Sequence, residues 1–438
     1  MEIPLIEEKI GIDRYSTNVD GVGGVLRQEI SDFIVREITN RHEQDDGKYL
    51  VLELTKHNWE LHHLIRDISR ILRISNKRIG FAGTKDKRAI TTQKISIYDL
   101  NEEDIETVQL KGVELNVIGR SNRAVGLGDL VGNEFEITVR DIDLDEDELS
   151  TRLENITATI HANGGVPNFF GIQRFGAFRP ITHLVGESMV RGDIEKAAID
   201  YIARSFPTES EDTQIVRDHV FETRDYVEGL KQYPVQLRYE RAMMHHLVSN
   251  PDDFVGAFGV LSKNLQKMFA HAYQSYIFNM VICTRLYGGL PLDRAVEGDI
   301  VCFKNEAGLP DASRTQRVTG ENLDGMNNLI RRGRAFVTAP LVGYDTEIAS
   351  GKPGEIEHRV LDELNVPIEG FKLPQMSKLS SKGLRREVLL QTDPVYRIAE
   401  DELNPGRQKA VLMFSLPKGS YATTVLREYM KVEPSRMS

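Results

Sequence analysis

Cysteine is scarce in this chain of 438 residues: Cys283 and Cys302 are the only two, and no C-x-x-C pair occurs. That excludes a disulfide framework and a zinc ribbon, and a reducing, cytoplasmic setting is expected. Long apolar runs are absent as well. Nothing approaches the roughly 18 consecutive apolar residues of a membrane span, so no membrane partner is expected. The first residues, MEIPLIEEKIG, are acidic and hold no apolar core, so they do not read as a secretory leader. Internal repeats and low-complexity tracts are missing too. No G-x-S-x-G is present, and nothing marks Cys283 as a nucleophile. The glycine-rich GLGDLVG of Gly126–Gly132 fits neither G-x-G-x-x-G nor G-x-x-x-x-G-K-[ST], and a strand pattern follows it, so a turn is expected. The adjacent pairs His62–His63 and His245–His246 would point to different faces of a helix. Neither makes a two-ligand face, and no metal is expected.

What is present is an ordinary globular composition, 40% hydrophobic and 28% charged, on a length that fits two or three domains. Net charge is −11, which argues against indiscriminate polyanion binding. A local basic patch remains compatible with it, because only charges within roughly 10 Å act strongly on a ligand.

Periodicity gives a coarse map. Lys48–Lys56 reads as a strand, Asn58 as an N-cap, and Leu61, Leu64, Ile65, Ile68, Ile71 and Leu72 as the apolar stripe of a helix. Thr92–Tyr98 reads as a strand, so Gly80–Gln93 is expected to be a loop between helix and strand. Asn133–Arg140 alternates, with Phe135, Ile137 and Val139 on one side. The acids of Asp143–Glu148 suit a helix N-terminus, and Leu149, Leu153, Ile156 and Ile160 continue that helix. Ile181–Ala203 and Leu261–Arg285 read as helices, the second with Leu265, Met268, Phe269, Tyr276 and Met280 near one face. Phe206–Asp212 reads as a loop, and short strands are expected in 291–370. The tail reads as strand, turn and helix over Lys409–Lys431. The texture is α+β.

Three clusters carry the chemistry. Between Arg73 and Lys94 stand seven basic residues and one acid, Asp86; the stretch GFAGTKDKRAITTQ sets Lys85, Lys87 and Arg88 around that acid, with Arg78 just before. The second cluster, GVPNFFGIQRFGAFRP, holds four phenylalanines with Asn168, Gln173, Arg174 and Arg179. Such phenylalanines could be stacking platforms for a splayed-out base, with amides reading its edge. The third runs from Lys372 to Arg386 with five basic residues before Glu387. Each cluster alone also fits a solvated surface; together they point to nucleic acid. For Asp86, two readings stay open. It can be a turn residue paired with a local cation, or a carboxylate kept charged by its neighbours, suited to act at an anomeric carbon.

GTKDKRAITTQ resembles the signature of the TruD family of tRNA pseudouridine synthases. SDFIVREI, GNEFEITVR, GVPNFFGIQRFG, HAYQSYIFN, TAPLVGY, LRREVLL and FSLPKGSYATTVLRE resemble family blocks in the same order along nearly the whole chain. The resemblance implies a catalyst that converts a uridine of tRNA, usually position 13, to pseudouridine without a cofactor. It implies tRNA as partner and no obligate protein partner. Asp86 matches the essential aspartate of the family block. Phe170 matches an aromatic that stacks on the target base, Asn168 a nearby amide, and Phe33 another aromatic near the site. Arg27 matches the basic residue that pairs with the aspartate. Lys85, Lys87, Arg88, Arg78, Arg174, Arg385 and Arg386 are candidate RNA contacts, with Gly80 and Gly83 giving the loop freedom for RNA to approach.

The implied fold is a pseudouridine synthase catalytic core with a mixed, mainly antiparallel sheet, interrupted by an α+β TRUD insertion domain. The core is expected at 1–175 plus 385–438 and the insertion at 176–384, its length pointing to an archaeal-type member. A non-catalytic tRNA-binding or chaperone protein retaining the fold is the alternative. A nucleoside hydrolase is less well supported, since no second carboxylate stands near Asp86 in sequence.

Overall fold

The computed structural model describes residues 2–437. The chain divides into two compact units. One, the sheet unit, comprises Ser16–Val166, Asn305–Leu309 and Leu390–Ser438; the other, the helix-rich unit, comprises Met1–Tyr15, Pro167–Lys304 and Pro310–Leu389.

Among the described residues the sheet unit is built on nine strands. Their main order is Val395–Glu400, Gln408–Pro417, Leu130–Ile142, Phe33–Thr39, Ile90–Tyr98, Tyr49–His57 and Val113–Ser121. Val25–Leu26 adds to Leu130–Ile142, and Ile79–Phe81 adds to Ile90–Tyr98. The pairing of Phe33–Thr39 with Ile90–Tyr98 is parallel, and the other pairings within this sheet are antiparallel. The mixed, mainly antiparallel sheet expected from the sequence is therefore present. The alternating pattern places Phe135, Ile137 and Val139 inward. Against them packs the helix Glu146–Ala162 through Leu149, Leu153, Ile156 and Ile160, all fully buried. Full burial of each such side chain contributes about 1.5–3 kcal/mol. Asp145 caps this helix, and Glu146, Asp147 and Glu148 fill its first turn, as the acidic run implied. The tail helix Ala422–Met430 joins the same core. On the other half of the sheet, Leu61–Ile71 buries Leu61, Leu64, Ile65 and Ile68 against Leu50, Leu52 and Leu54.

Local departures from the expectations have physical causes. Asn58 is not the cap: its φ is 59°, in the left-handed region, and its N–H donates to the Ala89 carbonyl. Glu60 caps instead, its carboxylate accepting from the His62 and His63 amides. Gly80–Gln93 is not all loop, because Ile79–Phe81 pairs with Ile95–Ile97 and Ile90 already begins the next strand.

In the helix-rich unit, Ile181–Ala203 forms two helices, Thr182–Val190 and Ile194–Ala203, broken at Gly192 with φ 83°. The long helix Lys263–Tyr287 is buried on most of its circumference beyond its first turn, so the single apolar face expected for it was too narrow. Met268 is exposed, and Leu265, Tyr276 and Met280 are half-buried. Strands Pro310–Arg317, Ile300–Lys304, Ala335–Leu341 and Leu384–Glu387 form a four-stranded antiparallel sheet in that order. The units part at 166/167 and 389/390, and residues up to Tyr15 group with the helix-rich unit. Two contacts account for this. Asn279 on the long helix bonds to the backbone of both Phe170 and Ile10, and Arg385 in the fourth strand is locked to Glu357.

Candidate active site

Asp86 lies in the loop that connects Ile79–Phe81 to Ile90–Tyr98. Side chains from the surrounding sheet fix this loop. Gln93 Nε2 donates to the Gly83 carbonyl at 3.1 Å, and Lys85 Nζ reaches Glu37 Oε2 at 2.9 Å. Lys56 Nζ donates to the Asp86 carbonyl at 2.8 Å and to the Trp59 carbonyl at 2.7 Å. Arg27 Nη1 donates to the Arg88 carbonyl at 2.9 Å, and Arg27 Nη2 reaches Asp86 Oδ2 at 3.3 Å. The Arg27 guanidinium lies 3.9 Å above the Phe33 ring centroid, a cation–π seat that fixes its plane. Phe33 itself is buried edge-on to Phe135. The structure thus brings Asp86, Arg27 and Phe33 together. Backbone strain belongs to the same arrangement: Arg27 has φ 60°, a conformation that costs a non-glycine residue on the order of 1–3 kcal/mol. The result is an aspartate with a held backbone and a side chain still 53% exposed.

The basic collar expected around Asp86 is smaller than the sequence suggested. Lys85 is buried in its pair with Glu37, with 4% and 1% of the two side chains exposed, so its ammonium is not presented to a phosphate. Arg78 is spent on the Tyr98 and Asp99 carbonyls. Lys87 and Arg88 remain exposed. Gly80 is required by packing rather than by RNA approach: a Cβ there would meet the Val125 carbonyl oxygen at 2.6 Å and Ser96 Oγ at 2.8 Å. Gly83 is under no such pressure.

Lys56 is the residue that sequence reasoning missed. It is fully buried, and burial pulls its ammonium down to about 8, against the opposing pull of the Asp86 and Glu60 carboxylates. The signal was present in the strand: Leu50, Leu52 and Leu54 point inward, and period two puts Lys56 on the same face. A lysine in that register must find acceptors inside.

A second cluster forms within the helix-rich unit. Asn279, fully buried on the long helix, accepts from the Phe170 N–H at 2.9 Å and donates to the Phe170 carbonyl at 3.0 Å. The Phe170 ring meets Phe278 edge-on at 5.5 Å and carries the Arg386 guanidinium 4.4 Å from its centroid. Arg174 lies 5.7 Å from the same ring and donates to Ser275 Oγ. Asn168, 1% exposed, accepts from Arg386 at 2.8 Å and donates to the Glu387 carboxylate and carbonyl, both at 3.0 Å. Its amide is therefore engaged within the protein and orients Arg386 instead of standing free. Phe169 and Phe175 are core residues, and Phe178 is exposed. Arg385 is buried against Glu357, and so is not a surface cation. Arg179 is structural too: it bonds to the Asp200 and Arg204 carbonyls, and burial together with Arg217 pulls it down to about 10.

Residues 9–429 match the family described as tRNA pseudouridine synthase D (TruD). The chain belongs to the TruD family. A relative from Methanococcoides burtonii, named as a probable tRNA pseudouridine synthase D, is 70% identical over 100% of this chain and 99% of its own. One of the same name from Methanosarcina acetivorans is 61% identical over 100% of this chain and 99% of its own. The crystal structure of the protein named for the same family from Methanosarcina mazei superposes with a TM-score of 0.94 at 60% identity, covering both chains fully. As a TruD protein this chain is an isomerase of the tRNA pseudouridine synthase class. Asn279 lies in HAYQSYIFN, one of the stretches with TruD likeness, and with Gln274 and Ser275 is one of three buried polar residues in it. Among the described residues, no group of three or more His, Cys, Asp or Glu side chains is placed to hold a metal ion. Among those residues, too, no helix is long and apolar enough to cross a membrane.

Proposed function

We propose that Asp86 is the reacting carboxylate in the isomerisation of a tRNA uridine to pseudouridine, and that position 13 is the target. The supporting observation is the contrast between Asp86's fixed backbone and its open side chain: the loop is tied at Gly83, Lys85, Asp86 and Arg88, while half of the Asp86 side chain faces solvent. Positioning of this kind lowers the entropy of reaching a reacting atom. The chemistry balances without a cofactor. The ribose C1′–N1 bond is exchanged for C1′–C5, and one proton leaves C5 while one is gained at N1. A carboxylate can assist by attack at C1′ or by taking a proton from the neighbouring ribose carbon, with the uracil turning before it rejoins. In this reading the sheet unit is the catalytic domain and the helix-rich unit contains the insertion. Phe170 is the base-stacking aromatic, and Asn168 acts through Arg386. A reducing, cytoplasmic setting is part of the same reading.

The test uses purified protein, unmodified tRNA transcripts and nucleotide-level mapping of pseudouridine. The wild-type chain is expected to modify one position, and Asp86→Asn to melt and bind tRNA as the wild type does while forming no product. Full activity in Asp86→Asn would sink the assignment. Binding without product in both proteins would favour a non-catalytic tRNA-binding role.

A further inference from the structure

We propose that a basic cavity in the helix-rich unit binds the phosphodiester backbone of tRNA. The proposal rests on the reading of tRNA as substrate. The cavity measures about 950 Å³ and forms where the start of the long helix Lys263–Tyr287 faces the segment Pro374–Leu379. Lys263, Lys267 and Lys378 line it, with Gln375 and Ser377, and no aspartate or glutamate takes part in the lining. All three lysines are exposed, and among the described residues none of their side-chain ammonium groups is engaged in an ion pair or hydrogen bond.

Three other cations of the Lys372–Arg386 cluster have internal uses, Lys372 pairing with Glu369, Arg385 with Glu357, and Arg386 with Asn168 and the Phe170 ring, while Lys382 is exposed but does not line the cavity. Lys378 has no internal use, and it faces the cavity.

Both walls come from stretches stripped of acid. No aspartate or glutamate occurs from Phe254 to Leu292 or from Gly370 to Arg386, in a chain that carries 66 of them. Helix stability would ask for the opposite. The positive end of a helix dipole favours acids in the first turn and disfavours lysines. Some helices of the chain follow this, with Glu146, Asp147 and Glu148 opening one and Glu211 and Asp212 another, while others, such as Gly351–Glu363, have no acid in their first turn. The long helix opens with Lys263 and adds Lys267 one turn later, with no acid in its first turn. Lysines four apart on one face also repel each other. Three unpaired cations, two of them set at the start of one helix against its dipole and the third facing them from Pro374–Leu379, suit a polyanion that arrives from outside, and phosphate contacts of this kind give affinity and orientation without reading sequence.

The experiment compares two triple variants by tRNA binding across a salt series. Lys263→Ala/Lys267→Ala/Lys378→Ala removes the cavity charges. Lys111→Ala/Lys304→Ala/Lys352→Ala removes the same net charge from exposed positions elsewhere. The cavity variant is expected to raise the Kd for tRNA roughly tenfold or more near 0.15 M salt, and to flatten the slope of log affinity against log salt by about two to three. KM for tRNA should rise with it. The second variant should change both quantities little. Equal effects in the two variants, or no effect in the cavity variant, would overturn the proposal. Failure of the wild-type chain to bind tRNA or form pseudouridine would instead strike the functional reading beneath it.

Discussion

Two places in this protein use the same device and put it to opposite ends. In the sheet unit, Arg27 lies over the Phe33 ring and donates to Asp86. In the helix-rich unit, Arg386 lies over the Phe170 ring and donates to Asn168. In both, an aromatic face sets the plane of a guanidinium and a side-chain oxygen sets its direction. The acceptors differ. Asp86 carries an acid and stays half open to solvent, whereas Asn168 is neutral, buried and fully bonded. The first arrangement leaves a reactive group facing outward. The second spends its polar group internally and holds the Phe170 ring and the arginine in register. Exposure and charge of the acceptor, not the presence of the arginine, separate a candidate reacting group from a supporting one.

Mutations that exchange those properties should separate the two places. Asp86→Asn keeps the shape and removes the acid. Its expected loss is at least about a thousandfold in the rate of pseudouridine formation, with a melting temperature close to wild type. Arg27→Ala removes the guanidinium that aims the carboxylate. A drop of about a hundredfold in kcat is expected, with tRNA affinity little changed, measured by single-turnover assay. Wild-type kcat in Arg27→Ala would break the comparison.

At the other place, Asn168→Ala removes one hydrogen-bond partner of the Arg386 guanidinium and one of the Glu387 carboxylate. A stability loss of about 1–3 kcal/mol is expected from denaturant unfolding. If this substitution instead abolished product without destabilising the fold, Asn168 would be acting on the substrate.

The pH profile offers a subtler test, through Lys56. Its folded value, about 8, is below that of an ordinary lysine. Between about 8 and the ordinary value the unfolded chain holds a proton that the folded one has released, so this group's contribution to stability grows as pH rises through that window. Activity should run the other way, because only the charged form keeps a cation under the Asp86 loop. A fall of about tenfold per unit is expected above pH 8, and Lys56→Met should give a lower, flatter profile with no step there. The smallest effects belong to Lys87→Ala and Arg88→Ala. Each should weaken tRNA binding a few-fold and reduce the salt slope by about one. Larger losses would mean that these side chains do more than meet phosphate.

Much of the fold was legible in advance, and particular residues show why. Phe135, Ile137 and Val139, or Leu149, Leu153, Ile156 and Ile160, announce a buried face by spacing alone, because a strand repeats at two and a helix near 3.6. The acids before Leu149 announce a helix start through the dipole. The long helix defeated the same logic: buried on most of its surface, it carries Asn279, Gln274 and Ser275 inward, so apolar spacing no longer reports which side is hidden. Charged residues were the least legible. Lys85, Arg385 and Arg179 read as surface cations, but their partners, Glu37, Glu357 and the backbone of Asp200 and Arg204, are distant in sequence.

By itself the sequence determined the family, the α+β pattern and the acid on which the chemistry is proposed to depend, since ordered motifs and local periodicity need no third dimension. Only the tertiary structure decided which charges are free. Lys85 and Lys378 are the same residue type in similarly basic stretches, yet one is buried against a carboxylate and the other stands unpaired beside a cavity. Desolvation and pairing depend on what the fold brings within a few ångströms, and chain order does not carry that information.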